Sequence, residues 1–186
     1  MIKTKADLKE YIKADYERQN MKYPVIARFT WGEHYRTRRY LENLRRLEFY
    51  LNKKRRIWDY IPLGYYWLQH RRLSLKFNIY ILPNTCGPGL LLPHPGFIRV
   101  DSLVRMGKNC TILPNVLFGN KLPVKGLHIT VGDNCYFGTG STVLGSCHIG
   151  NNVTVAAGAV VIDDVPDNAV VGGVPAKVLK IQQNII

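Results

Sequence analysis

Two histidines, His94 and His128, are the side chains whose type and position could support chemistry. His94 lies in the stretch LLLPHPGFIRV and His128 in GLHITVGDN. The interval 119–130, which ends just after His128, also contains Gly, Pro and two Lys. An imidazole titrates near pH ~6.5, so at neutral pH it can accept a proton from a hydroxyl group. Both are candidates for roles in such a reaction, and a histidine that only satisfies a structural hydrogen bond is the alternative for each.

A six-residue repeat surrounds these histidines. Residues 131–166 form six hexads, in which the first position is apolar and the fifth is small or β-branched. A second series, in another register, covers residues 82–117 and has His94 at a first position. The density of Gly and Asn opposes a helix, whereas a short strand, a turn and a second short strand put positions one and five on one face. The repeat therefore predicts the stacked coils of a hexapeptide β-helix.

Two further features refine this prediction: the break in register between the two series, and the positions of the cysteines. Phe118 and Val131 are one residue further apart than two hexads, so we expect a loop extruded from one coil at 119–130. A tolerated surface insertion is the alternative. The cysteines all occupy fifth positions and no C-x-x-C pair is present, which predicts inward-facing structural residues and no metal site.

With these motifs, the region around residues 80–180 resembles the left-handed β-helix acyltransferases of the hexapeptide-repeat family. The resemblance is strongest to the serine acetyltransferases and the polysaccharide O-acetyltransferases, and GGVPAKVLK at 172–180 is similar to the closing segment of that family. It implies a mainly β fold, a left-handed parallel β-helix of about four coils, preceded by a small helical segment. It also implies a homotrimer whose active sites lie between subunits.

The resemblance implies a role for individual residues. His94 corresponds to the catalytic base of the family and His128 to a second histidine that contacts the substrate. The co-substrate would be acetyl-CoA, transferred directly without a covalent enzyme intermediate, with no metal. Backbone N–H groups near Gly119 and Asn120 would stabilise the oxyanion. Contacts to CoA would fall on Gly119, Asn120, Thr139, Ala157 and Lys177, the last near the phosphates.

The acceptor is inferred from departures from the serine branch. Serine acetyltransferases carry Asp before the first histidine and Arg before the second, where this chain has Pro93 and Leu127, and residues 77–92 contain no acid. An amino acid needs ionic partners for both of its charges. We therefore expect a neutral acceptor, a sugar in capsular, exopolysaccharide or other surface-glycan biosynthesis. The alternative is a serine O-acetyltransferase of cysteine biosynthesis, whose terminal Ile186 would dock into cysteine synthase.

The N-terminal segment differs in composition from the rest of the chain. Residues 1–80 contain 19 Lys and Arg against 8 Asp and Glu, with all three Trp. We expect a helix that begins at a Thr4–Asp7 cap, a second over 33–54 and a third broken near Pro62 and Gly64. The predicted domains are thus a basic, aromatic-rich helical segment (1–80), the β-helix (81–180) and a tail (181–186).

The helical segment has two interpretations. It would cap the first coil, and it would in addition offer a basic and aromatic surface to anionic lipid. A cytoplasmic protein is expected, peripheral to the inner face of the membrane if lipid is bound, since no export signal or membrane span is evident. Nucleic acid is not an expected partner, because no nucleic-acid module accompanies the charge.

Two other classes of protein share the repeat. A γ-type carbonic anhydrase needs three metal-binding histidines, and Asp133 occupies a position where one would be required. A non-catalytic scaffold would have no reason to place His94 at an apolar position or to keep the 119–130 loop.

Overall fold

The computed structural model describes residues 1–19, 32–120 and 128–182. Its N-terminal part contains helices α1 (Lys5–Gln19), α2 (Glu33–Asn52) and α3 (Tyr60–Phe77), the last preceded by a single 3₁₀ turn (Ile57–Asp59). Within the described ranges, every helix is too short or too polar to cross a bilayer.

Short strands follow, and most consist of two or three residues. They are β1 (Ile79–Ile81), β2 (Ile98–Val100), β3 (Val104–Met106), β4 (Thr111–Ile112), β5 (Val116–Gly119), β6 (Ile129–Val131), β7 (Tyr136–Phe137), β8 (Thr142–Leu144), β9 (Cys147–Ile149), β10 (Thr154–Val155), β11 (Val160–Val161), β12 (Ala169–Gly173) and β13 (Ala176–Ile181).

The strands form the three faces of a prism. Sheet I has the order β1-β2-β5-β8-β11, sheet II the order β3-β6-β9 and sheet III the order β4-β7-β10-β12-β13. Neighbours within a sheet are parallel, except that β13 folds back antiparallel on β12. Each coil therefore contributes one short strand to each face in turn. The predicted left-handed β-helix is confirmed.

The hexad explains the interior of the prism. From Val131 to Val165, the residues at positions one and five are all buried, and Phe118 packs edge-on against Phe137 with ring centroids 4.8 Å apart. The cysteines are buried and unpaired, as predicted, and they fill space inside the coils. The strands are too short to hold a core alone, so stacking of coils supplies the burial.

The hexad register is wrong for the first positions of the first coil, although its fifth positions, Cys86 and Leu92, are buried. Leu82 is exposed, and the side chain of His94 is 55% exposed where the pattern placed it on an apolar register position. The reason is a longer turn before β2: Leu91 bridges Thr111, a step of 20, whereas Ile98 pairs with Val116, a step of 18. Two additional residues therefore lie between Leu91 and Ile98, where the chain turns His94 outward.

The helices largely follow their predicted boundaries. Thr4 and Asp7 form the expected cap, with the Asp7 N–H donating to Thr4 Oγ1 over 3.1 Å and the Thr4 N–H donating to Asp7 over 3.0 Å. Backbone N–H donation from Lys3, and then bonds from Thr4, lower the pKa of Asp7 to about 2.

The expected break in α3 is wrong: Pro62 lies in the first turn, where its missing N–H leaves no intrahelical bond unmade.

Helix α2 is anchored to the first coil by a buried arginine. Arg45 is fully buried and donates to Asp15 on α1, to Glu48 on its own helix, and to the carbonyls of Cys86 and Gly87 in the first coil. This network ties α1 and α2 to the first coil, at the open end of the prism. It also fixes where the N-terminus of α2 lies relative to the first turn of the β-helix.

Candidate functional site

His94 lies in the turn that leads from sheet III into β2. Its Nδ1 is 2.9 Å from Oε2 of Glu33, the first residue of α2, and both side chains are more than half exposed. The hydrogen bond to His94 lowers the pKa of Glu33 below its ordinary value. The positive end of the helix dipole at the start of α2 also favours a carboxylate there.

This pairing determines what the imidazole can do. With Glu33 anionic, Nδ1 carries the proton and donates it, so Nε2 has its lone pair available to accept a proton. The turn is held against the next coil, because a Cβ on Gly96 would lie 3.0 Å from Pro114. Glu33 and His94 are 61 residues apart in the chain and come together only through the packing of α2.

Thr139 and Ala157 stack along the same corner of the prism as His94. They occupy the turns before β8 and β11, and the Gly158 N–H donates to the Thr139 carbonyl over 2.9 Å. One coil closer to His94, the Gly140 N–H donates to the Pro114 carbonyl over 3.1 Å. Both Thr139 and Ala157 are exposed, so this edge is a narrow strip of backbone and small side chains that begins at His94.

Gly119, Asn120 and His128 occupy a different corner, between sheets I and II. The Gly145 N–H donates to the Gly119 carbonyl over 3.1 Å, and Ser146 Oγ donates to the His128 carbonyl over 3.4 Å. His128 itself is exposed. Within one chain, sheet I thus separates His128 from His94. Most of the expected loop, 121–127, lies outside the described residues, as does Leu127.

Lys177 lies on the antiparallel strand β13, opposite Gly172 of β12. Strand β12 adjoins β10, which leads directly into the turn that contains Ala157. Lys177 is therefore two strands, or about 10 Å, from the upper end of the strip of small residues. Its side chain is exposed and points a cation toward solvent at that level.

Glu33 is the site residue that sequence reasoning missed. Residues 77–92, just upstream of His94, contain no acid, and no pattern in the sequence connects position 33 with position 94. Among the residues that the structure describes, no group of three or more His, Cys, Asp or Glu side chains is arranged to hold a metal ion.

Comparisons with known proteins agree with this fold. Residues 128–163 match the family model described as bacterial transferase hexapeptide (six repeats). Serine acetyltransferase 2 of Arabidopsis thaliana is 34% identical over 114 residues, which cover 60% of this chain and 35% of that protein. The serine acetyltransferase of Bacillus subtilis (strain 168) is 33% identical over 96 residues, 51% of this chain and 44% of that protein.

A solved structure extends the similarity to the helical segment. Soybean serine acetyltransferase complexed with serine superposes with a TM-score of 0.73 at 27% identity, covering 94% of this chain and 70% of that one. The similar region of this chain covers 35% of the length of the Arabidopsis relative and 44% of the length of the Bacillus relative, which is less than half of each.

The expected glycan acceptor is wrong. These relatives and the solved structure are serine acetyltransferases, and none of them indicates polysaccharide biosynthesis. The argument for a neutral acceptor depended on a missing acid near His94 and on Leu127 in place of an Arg before His128, and Leu127 lies outside the described residues. Glu33 supplies a carboxylate at that place from the helical segment, so the absence of acids at 77–92 does not remove acid from the site.

Proposed function

We propose that the chain is an acetyl-CoA-dependent O-acetyltransferase that acts on L-serine, built on the left-handed β-helix of the hexapeptide-repeat acyltransferases. The observation that carries this proposal is the contact between His94 Nδ1 and Glu33, at the start of a strip of small residues on one edge of the prism. The acceptor is proposed from the names of the relatives.

His94 acts as the general base. An alcohol is a weak nucleophile until its proton is taken as it attacks, and Nε2 accepts that proton while Glu33 holds Nδ1–H and offsets the positive charge that develops on the ring. Bound acetyl-CoA supplies the acetyl group as a thioester, an acyl donor that the acceptor hydroxyl can attack. The protonated ring then has a proton to return to the departing group.

The strip on the His94 corner fits a pantetheine chain. Its exposed members are small, and a Cβ added to Gly158 would meet nothing within 4 Å, so an extended chain could lie against the backbone there. Lys177 would offer a cation to the phosphates at the upper end. Gly119 and Asn120 are proposed to contribute backbone N–H groups from the other corner.

The division of the site between two corners supports a homotrimer with sites between subunits. His94 and His128 flank opposite edges of sheet I, so one chain alone does not bring both to one acceptor. In a parallel trimer, the His94 corner of one subunit would face the His128 corner of its neighbour. His128 would then contact the acceptor bound at its neighbour's base.

The activity is tested by following release of the CoA thiol with L-serine as acceptor and identifying O-acetylserine by mass spectrometry. We expect His94→Ala to lower kcat by at least ~100-fold, and Glu33→Ala by about ten- to a hundredfold with little change in KM. Glu17→Ala, which removes another exposed ion-paired glutamate, is the matched control and should be silent. Absence of serine-dependent thiol release by the wild type would refute the acceptor.

The shared site is tested by complementation. His94→Ala and His128→Ala subunits, inactive or weakened alone, are unfolded together and refolded as mixed trimers. If each site takes one histidine from each of two subunits, some interfaces in the mixture contain both and activity returns. A mixture that is no more active than its components would mean that each subunit carries its own complete site.

The proposed binding of acetyl-CoA along the strip of small residues is tested by placing a large side chain in it. Ala157→Trp should raise the KM for acetyl-CoA by roughly tenfold or more, because an indole would fill the narrow groove. Lys108→Trp, an equally exposed change at the third corner, should leave it unchanged. Equal KM values for the two variants would show that acetyl-CoA binds elsewhere.

A further inference from the structure

Helix α3 has two apolar sides, and only one of them is covered. Leu73 and Phe77 are buried on the inner side, and Tyr66 there stacks on Tyr50 of α2 with ring centroids 5.6 Å apart. The outer side shows a second apolar stripe at helical spacing, and none of its members is buried. These residues, called here the outer stripe, are Ile61, Tyr65, Leu68 and Leu75.

The turn before α3 extends this stripe. Ile57 and Trp58 are 79% and 77% exposed, and Trp67 is also exposed beside the stripe. Single exposed apolar residues are ordinary on a protein surface, but a contiguous group of large ones marks an interaction surface. Within residues 1–19, 32–120 and 128–182, no part of the chain covers it.

Positive charge accompanies the outer stripe. Between residues 53 and 76 the chain has seven Lys and Arg and a single acid, Asp59, whose carboxylate is 2.6 Å from the Lys53 ammonium. Two of the guanidinium groups lie over rings: Arg55 is 5.9 Å from the centroid of Tyr60, and Arg71 is 5.8 Å from that of Trp67. Cations and aromatic side chains therefore share one surface.

We propose that this surface docks on an anionic lipid bilayer, with α3 lying in the plane of the interface. Its composition is that of interfacial helices, with large apolar side chains to enter the acyl boundary and basic ones to meet the headgroups. Trp and Tyr are the residues that favour that depth. A second copy of this surface would bring positive charge against positive charge, whereas anionic headgroups complement it. This inference does not depend on acetyl transfer.

The test is flotation of the full-length protein with vesicles of phosphatidylcholine alone and with added phosphatidylglycerol, with Trp fluorescence as a second readout. Two of the three tryptophans, Trp58 and Trp67, lie on the surface, so binding should shift emission to the blue. We expect binding to the anionic vesicles only, weakened by salt. No flotation with anionic vesicles would overturn the proposal.

Variants locate the contact. Leu75→Ser should weaken binding about tenfold, whereas Leu179→Ser, on β13 and of nearly equal exposure (65% against 68%), should not. Replacing both Arg55 and Arg72 with Gln should weaken binding roughly 30-fold. Binding that survives both Leu75→Ser and the double replacement of Arg55 and Arg72 would overturn the assignment to α3, as would self-association that Leu75→Ser abolishes in sedimentation without lipid.

Folding and catalysis separate this proposal from the enzymatic one. The altered side chains are exposed, so the thermal midpoint and acetyl transfer to a soluble acceptor should remain at wild-type values while lipid binding falls. Failure of serine acetylation in the wild type would leave the lipid result intact, and loss of lipid binding would leave the acetylation result intact.

Discussion

Replacement of Arg45 with Met tests how the helical segment is held on the prism. The guanidinium makes five hydrogen bonds, at 2.7 to 3.4 Å, to two carboxylates and two backbone carbonyls, and no part of it is exposed. Burial opposes its charge, but Asp15 and then Glu48 more than offset this and raise the pKa of Arg45. A methionine would replace the aliphatic part of the side chain, but it ends about where the Arg45 Nε lies, and it would leave both carboxylates buried without a cation.

Loss of one partner of a buried ionic network costs about 3–5 kcal/mol. At roughly 2–4 °C per kcal/mol for a chain of this size, the thermal midpoint should fall by about 6–20 °C. Urea unfolding measures the free energy directly. Arg46→Met is the matched control: Arg46 pairs with Glu42 on the exposed side of the same helix, and its loss should cost no more than about 0.5 kcal/mol.

A rescue distinguishes unpaired charge from lost packing. Asp15 also accepts from the Leu90 N–H and Glu48 from the Asn84 N–H, so Asp15→Asn and Glu48→Gln keep those acceptors while removing the two charges. Added to Arg45→Met, they should recover at least half of the lost stability. A cost for Arg45→Met as small as that of Arg46→Met would refute the reasoning.

Two further predictions concern the turns and the pH dependence. Asn152 has φ 56° and bridges Asn134 and Asn168 through its amide, so Asn152→Ala should cost about 1–2 kcal/mol in urea unfolding and Asn152→Gly less; equal losses would exclude backbone conformation as the cause. Burial lowers the pKa of His70, so the unfolded chain takes up a proton near pH ~6.5 before the folded one does, and stability should fall as pH drops below that value. His70→Gln should flatten this slope in thermal melts from pH 8 to 5, whereas exposed His148→Gln should not.

The prism could be predicted because its geometry is local and repeats. A large apolar residue, a turn and a small residue recur every six positions, and each coil needs only contacts with the coil before and after it. The stacked turn residues Asn134, Asn152 and Asn168 carry the same information, since Asn tolerates the left-handed backbone conformation. The hexads therefore determined which positions face the interior from Val131 to Val165.

The first coil shows where this local information ends. The turn between Leu91 and Ile98 is two residues longer than its counterpart in the next coil, and it turns His94 away from the register that the pattern assigned to it. Likewise, the sequence alone predicts that Pro62 breaks the helix, but Pro62 lies in the first turn of α3, where proline is tolerated. Both errors came from the junction between helices and coils, where the repeat no longer constrains the chain.

The candidate site depends on this junction. The contact between Glu33 and His94 joins positions 61 residues apart, and the Arg45 network joins α1, α2 and the first coil across 30 to 42 residues. No period or motif encodes such contacts, because they arise from the angle at which α2 packs across the end of the prism. Periodic stacking thus determined the scaffold from the chain alone, whereas the carboxylate beside His94 was decided only when long-range packing brought the start of a helix to the edge of a coil.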